Sequence, residues 1–373
     1  MKTVAFHLNC LAHGGAERVV SILANRFAAA GYRVLVATEW QEEIEYALSP
    51  QVERIHVGLR AEDEGKGRVT KFLLRIRYLR AFMKTYRPDV LVAFAQRALY
   101  RALEACGGTG VPVVIAPRIH PVGNYDHLSD RIQMALFFHR TVGAVFQTEE
   151  MQAFFAPHLK GVETKVILNP VSAQFTGRAF QAPVRKEVVH SARLVDFKNQ
   201  PLLVRAFVRV HERHPDYVLK IFGADGGEGT EAKIRAEIAA HNAQDYILLM
   251  GESAALERDL PGAACFAYAS DYEGMPNALI EAMVLGLPVV STDCPPGGPR
   301  ALITDRENGL LVKVGDEAAL AQAICDMIEH PDAAERMGRA AARLIERTGE
   351  EAIFGEWESY LQKVTADTGR AKI

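Results

Sequence analysis

Two glutamates eight positions apart, Glu273 and Glu281, bracket the segment Glu-Gly-Met-Pro-Asn-Ala-Leu-Ile-Glu. The spacing straddles a loop-to-helix junction. Asn277 reads as the helix N-cap, with Glu281 on the second turn and Glu273 in the preceding loop. Backbone amides of Gly274, Met275, Pro276, Asn277 and Ala278 then crowd one helix N-terminus, where orphan N–H groups and the helix dipole favour an anion. Glu273 can accept hydrogen bonds from sugar hydroxyls, and Glu281 from a ribose diol. The same residues also fit a capped amphipathic helix with two exposed glutamates.

Arg193 and Lys198, five residues apart, follow the apolar run Glu187–Ser191 in a strand-to-helix loop. Two cations there can neutralise a diphosphate and stabilise it as a leaving group. Alternatively they are solvated surface charges. The third element, His13-Gly14-Gly15-Ala16-Glu17-Arg18, follows the first apolar run. Gly14 and Gly15 fit a phosphate contact at a helix start, or an ordinary tight turn. The spacing is not G-x-G-x-x-G, which argues against a dinucleotide site.

Lys66–Arg87 carries eight Lys and Arg residues and no carboxylate, in a chain whose net charge is −3. Arg68, Lys71, Arg75, Arg77, Arg80 and Lys84 recur at helical spacing around Val69, Phe72, Leu73, Ile76, Leu79 and Met83. A basic amphipathic helix suits an anionic membrane surface or a diphosphate-linked acceptor. The alternative is a packed helix with solvated arginines.

Together these motifs resemble glycosyltransferase family 4. The resemblance rests on Gly14-Gly15-Ala16-Glu17, on Arg193 with Lys198, and on the Glu273…Glu281 segment. That segment continues into Ala282-Met283-Val284-Leu285-Gly286-Leu287-Pro288-Val289-Val290-Ser291-Thr292. It implies the GT-B architecture of two Rossmann-like domains facing across a cleft. It also implies transfer of a sugar from a nucleotide-sugar with retention at the anomeric carbon and without a required metal or other cofactor. By the same resemblance Arg193 and Lys198 bind the donor diphosphate, Glu273 contacts the transferred sugar and Glu281 the ribose. Many relatives place a histidine at the position of His120, near the reacting carbon, where it transfers a proton or only orients. Relatives acting on lipid-linked sugars have an Arg-Asn-like sequence in that loop, and this chain has both Arg118 and His120.

The elements that must position these residues alternate. Thr3–Leu8, Arg33–Thr38, Val90–Ala95, Val113–Ala116 and Val142–Gln147 read as strands, with helices at Gly14–Ala30, Arg68–Tyr86 and Glu149–Phe155. The pattern restarts with strands at Glu187–Ser191, Tyr217–Phe222, Tyr246–Met250, Cys265–Ala269 and Pro288–Thr292. Its helices lie at Gln200–His214, Glu231–His241, Ala278–Leu285 and Glu317–Glu329. This is the α/β pattern of two doubly wound sheets, which bind ligands beyond the carboxyl ends of their strands. The polar stretch Ser172–Lys186 suggests domains at 1–178 and 179–350. A last helix at 351–373 has apolar residues Ile353, Phe354, Trp357, Tyr360, Leu361 and Val364 at a 3.6-residue period, and the resemblance implies that it crosses back to the first domain.

Length and composition agree. The chain has 373 residues, enough for about two domains. Five cysteines without close pairs argue against a disulfide framework or zinc knuckle and for a reducing compartment. No apolar stretch reads as a signal peptide or a transmembrane helix, and the net charge argues against bulk attraction to nucleic acid. The expectation is a UDP-hexose or UDP-N-acetylhexosamine donor and a polyprenyl-diphosphate-linked glycan acceptor at the cytoplasmic membrane face. A soluble sugar acceptor, a nucleotide-sugar epimerase and an NAD-dependent dehydrogenase are the competing readings. The last lacks its glycine motif, and Gly223-Ala224-Asp225-Gly226-Gly227 comes closest to one.

Overall fold

The computed structural model describes residues 1–12, 14–177, 181–182 and 185–366. The chain forms two compact units: Met1–Pro170 with the chain from Glu350 onward, and Val171–Gly349.

The strands of the first unit are β1 (Thr3–Leu8), β2 (Arg33–Thr38), β3 (Val52–His56), β4 (Val90–Phe94), β5 (Val113–Ala116), β6 (Thr141–Phe146) and β7 (Glu163–Val166). Between them run α1 (Gly15–Ala29), α2 (Arg68–Tyr86), α3 (Gln96–Ala105), α4 (Leu128–Phe137) and α5 (Glu149–Phe155). All pairings are parallel, in the order β3-β2-β1-β4-β5-β6-β7. Parallel strands covered on both faces become near-continuous apolar runs, as in β4, where every residue is buried. The edge strands β3 and β7 are mostly polar and only partly buried, so they lack that signal.

The second unit has β8 (Arg185–Ser191), β9 (Val218–Phe222), β10 (Ile247–Gly251), β11 (Ala263–Tyr268), β12 (Val289–Thr292) and β13 (Leu310–Val312). Its helices are α6 (Gln200–Arg213), α7 (Thr230–Ala240), α8 (Leu256–Asp259), α9 (Asn277–Val284), α10 (Gly298–Leu302), α11 (Glu317–Glu329), α12 (Pro331–Ala342) and α13 (Ile345–Thr348). The sheet is again parallel, in the order β10-β9-β8-β11-β12-β13. Leu202, Leu203, Phe207 and Val210 of α6 share one core with Leu320 and Ile324 of α11.

The last helix, α14 (Glu350–Ala366), packs in the first unit against α1 and β6. Its six periodic apolar residues are its buried residues. Phe354 meets the Phe27 ring edge-on at 4.9 Å, and the Trp357 ring lies 5.7 Å from that of Phe94. Burying side chains of this size contributes roughly 1.5–3 kcal/mol each. Gly143 of β6 is required here, since a Cβ would stand 2.5 Å from the Tyr360 hydroxyl.

Helix α2 divides the apolar row expected along it. Leu79 and Met83 are buried and Ile76 packs beside them. Val69, Phe72 and Leu73, one to two turns earlier, are 74%, 46% and 57% exposed. The packed-helix reading thus holds for the C-terminal half only.

Candidate functional site

In the second unit, β8 and β11 are neighbours, while β8 leads to β9 on one side and β11 to β12 on the other. This reversal leaves a crevice at the carboxyl ends of the two strands. Both strong motifs sit in the loops there. Leu194 and Val195 are buried and anchor the loop after β8, and the Gln200 side chain donates to the Arg193 carbonyl at 3.0 Å. Asn199 adopts the left-handed conformation (φ 49°), which asparagine tolerates. Its Oδ1 caps α6 by accepting from the Leu202 N–H at 3.3 Å.

The same asparagine ties the two loops together. Its Nδ2 donates to Asp271 Oδ1 at 2.8 Å, and the Asp271 N–H donates to the Phe197 carbonyl at 2.8 Å. The Phe197 and Tyr272 rings stack at 4.7 Å. Lys198 thereby reaches Glu273, and the two form an ion pair whose side chains are 13% and 9% exposed. Lys198 Nζ also donates to the Tyr268 hydroxyl at 2.6 Å. That hydroxyl donates to Glu273 Oε1 at 2.7 Å, and Ser270 Oγ donates to the same oxygen at 2.9 Å. Burial, reinforced by the Glu273 charge, pushes the Tyr268 phenol well above its ordinary pKa, so it stays a donor.

The Glu273 backbone is held as well, its N–H donating to the Pro295 carbonyl at 2.8 Å. A Cβ at Gly298 would lie 2.5 Å from the Gly274 carbonyl, so only glycine lets α10 approach this loop. Arg193 is exposed, and its guanidinium has no ion-pair partner among the described residues. The structure thus brings Lys198 and Glu273 together, with Arg193 in the same loop as Lys198. Tyr268 was missed because it reads as one more apolar residue of a buried strand. The available signal was its hydroxyl, which needs a partner when buried.

The start of α9 departs from expectation. Pro276, not Asn277, is the N-cap, with φ −77° and ψ 100°, and Asn277 is the first helical residue. The fixed φ of proline suits the extended cap position, and its carbonyl accepts from the Leu279 and Ile280 N–H groups at 3.1 Å each. Pro276 has no N–H and cannot be one of the anion-binding amides. Met275 and Pro276 are buried, whereas Gly274, Asn277 and Ala278 keep partial exposure. Glu281 lies on the second turn and is 3% exposed.

The remaining candidates belong to the first unit. Gly14 caps α1 and Gly15 opens it, just beyond β1. His13 lies outside the described residues. Gly14 has an extended backbone (φ −135°), so its conformation does not require glycine. His120 follows β5, its Nδ1 bonded to the Val122 carbonyl at 2.9 Å. Ala95, just after β4, has φ 66° and ψ 158°, a conformation otherwise left to glycine. Gly14 and Ala95 flank the reversal between β1 and β4, and His120 follows the next strand of the sheet.

Arg118 does not join the cations of α2. Its guanidinium lies over the Phe94 ring at 4.8 Å and the Trp357 ring at 5.7 Å, and donates to Asn169 Oδ1 at 3.3 Å. Its Nε and Nη2 are buried without a partner among the described residues, and burial lowers its pKa. On α2, Arg75 pairs with Glu39 at 3.3 Å, and Arg80 donates to the Ala105 and Glu104 carbonyls at 3.0 and 3.1 Å. Arg68, Lys71, Arg77 and Lys84 have no ion-pair partner among the described residues. No helix of the described chain is long and apolar enough to cross a membrane.

Among the described residues, the His, Cys, Asp and Glu side chains that converge as three on one point are His214, Cys325 and Glu329, on the α6–α11 side of the second unit. Glu329 already bonds Arg213 and His214, and the Arg213 charge opposes a cation there.

Two family models match the chain, one over each half. Residues 13–175 match the family model described as Glycosyltransferase Family 4, and residues 179–344 match Glycosyl transferases group 1. The chain is 27% identical, over 88% of its length and 91% of the relative's, to a Campylobacter jejuni protein. That protein is named as the N-acetylgalactosamine-N,N'-diacetylbacillosaminyl-diphospho-undecaprenol 4-alpha-N-acetylgalactosaminyltransferase. It is also 27% identical to a Methanocaldococcus jannaschii glycosyltransferase over 58% of this chain. It is 28% identical to the GtfA subunit of a Streptococcus pneumoniae UDP-N-acetylglucosamine–peptide N-acetylglucosaminyltransferase over 59% of this chain. The matches span 63% and 44% of those two relatives. In fold, it resembles sucrose-phosphate synthase of Thermosynechococcus elongatus (TM-score 0.81, 18% identity, 98% of this chain and all of that one). It also resembles Anabaena HepE solved with UDP and glucose (TM-score 0.80, 18% identity, 97% of this chain and all of that one).

Proposed function

The chain belongs to the GT-B glycosyltransferases of family 4, and from that premise we propose that it moves a sugar from a UDP-hexose or UDP-N-acetylhexosamine onto a polyprenyl-diphosphate-linked glycan. The observation that carries this reading is at the crevice between β8 and β11, where exposed Arg193 shares the loop after β8 with Lys198, and Lys198 pairs with Glu273 of the loop after β11. A diphosphate needs fixed positive charge as the glycosidic bond breaks, and Arg193 with Lys198 supplies it without a metal. Gly274, Asn277 and Ala278 sit beside them at the start of α9, whose dipole favours the same anion. Glu273 receives sugar hydroxyls. Glu281 serves the ribose side. In a retaining transfer the departing phosphate takes the acceptor proton, and His120 orients the acceptor or sugar.

The acceptor reading draws on two features. The relative from Campylobacter jejuni, alike over most of both chains, is named for a diphospho-undecaprenol-linked acceptor. Helix α2 presents Arg68, Lys71, Arg77 and Lys84 together with exposed Val69, Phe72 and Leu73. Cations with adjacent apolar side chains are what an anionic bilayer surface binds, each cation contributing about 1 kcal/mol. The protein then works as a peripheral enzyme at the inner face of the cell membrane.

The test is transfer from labelled UDP-sugars to a synthetic polyprenyl-diphosphate-linked glycan, with EDTA present. An α-linked product from an α-linked donor supports retention without a metal. Inversion, dependence on added divalent ion, or transfer only to free sugars contradicts the corresponding part.

A further inference from the structure

We propose that Tyr268 is a positioning residue of the transfer reaction, aiming the Glu273 carboxylate through its hydroxyl. The inference rests on the glycosyl-transfer reading of the β8–β11 crevice and adds to it a residue on the last position of β11.

The hydroxyl is the middle member of a relay. Lys198 Nζ donates to it at 2.6 Å, and it donates onward to Glu273 Oε1 at 2.7 Å. A hydroxyl that accepts from an ammonium becomes a stronger donor to a carboxylate, because each bond polarises the next. Ser270 Oγ adds a further donor to the same oxygen, at 2.9 Å, and Lys198 pairs with it directly. All the side-chain donors thus converge on Oε1. Oε2 accepts no hydrogen bond among the described residues and is not among the buried unpartnered atoms, so it keeps contact with solvent. One oxygen is anchored and the other is left for a substrate hydroxyl.

The ring itself is fixed. It packs 5.6 Å from the His190 ring and 6.0 Å from that of Phe266, and is 1% exposed. A hydroxyl on a locked ring defines a direction, which a flexible lysine alone does not. The carboxylate is thereby preorganised before substrate arrives.

Tyr268→Phe removes the oxygen and keeps the ring. A hydrogen bond to a charged group is strong enough that its loss is expected to lower kcat about tenfold or more. Donor KM and UDP affinity should stay within about twofold, since Arg193 and Lys198 still hold the diphosphate. The same substitution made in an E273Q background should then cause no further loss, because the hydroxyl acts through the carboxylate. A Y268F enzyme with wild-type kcat overturns the assignment. So does an equal fractional loss in both backgrounds, which marks a general packing defect and also covers a variant that folds poorly. A wild-type protein that turns over no nucleotide-sugar contradicts the transfer reading itself. An active wild type matched by Y268F contradicts only the role of Tyr268.

Discussion

Lys198 and Glu273 lie 75 positions apart in the chain and meet as an ion pair at the mouth of the second sheet. The pair is largely withdrawn from water, so each charge depends on the other. Breaking a buried pair by removing one partner costs about 3–5 kcal/mol when burial is complete. A substitution at Glu273 therefore acts on the stability of the fold as well as on transfer.

Glu273→Gln should lower transfer by on the order of 100-fold and also lower the melting temperature, because Lys198 loses its counter-charge. Unfolding curves alongside initial rates check both. A variant with wild-type turnover would remove Glu273 from the site.

Arg193 is the opposite case. It is exposed and has no ion-pair partner among the described residues, so Arg193→Ser should leave thermal stability unchanged. UDP affinity should fall roughly 10- to 100-fold, the worth of charge-assisted hydrogen bonds. Calorimetric titration measures it. Unchanged affinity would return Arg193 to the solvated surface.

The cations of α2 separate by partner. Replacing Arg68, Lys71, Arg77 and Lys84 with serine should weaken co-sedimentation with anionic vesicles by about 4 kcal/mol in total. UDP binding should be untouched. Arg80→Ser should instead reduce stability, since Arg80 closes the carbonyl end of α3. Equal vesicle binding by the quadruple variant and wild type would contradict the membrane reading.

Two histidines set an acid-side stability limit. His7 and His190 are fully buried, and each Nδ1–H donates to a neighbouring carbonyl, Ala37 and Ala267 respectively. Burial lowers both from 6.5 to about 4. Between those values the unfolded chain binds protons that the folded one does not, so stability should fall as pH drops from 6.5 towards 4. Urea unfolding across that interval should show it, and His190→Phe should flatten the slope. A flat wild-type profile would contradict it.

How much of this was legible follows from what each element must bury. Strands covered on both faces, such as β1, β4 and β11, declare themselves as apolar runs. Edge strands β3 and β7 carry charged residues because solvent reaches them, and β13 is three residues long, so none of them stood out. Helix α3 begins after Ala95 without a side-chain cap and was passed over. At the site, the motifs indicated which loops matter, since both follow strands. The contact between Lys198 and Glu273 was not legible, because it depends on β8 and β11 being neighbours in space. Nor was the division of the α2 cations, since Arg75 and Arg80 find partners on other segments.

The most direct measurement is thermal unfolding of wild type and Arg193→Ser with UDP, GDP, ADP and their sugar conjugates. At 100 times its dissociation constant a ligand stabilises by about 2.7 kcal/mol. The account predicts a shift of a few degrees in wild type with UDP and its sugar conjugates, largely lost in the variant at the same concentration. No shift with any nucleotide, or the same shift in both proteins, would contradict a diphosphate site at the β8–β11 crevice.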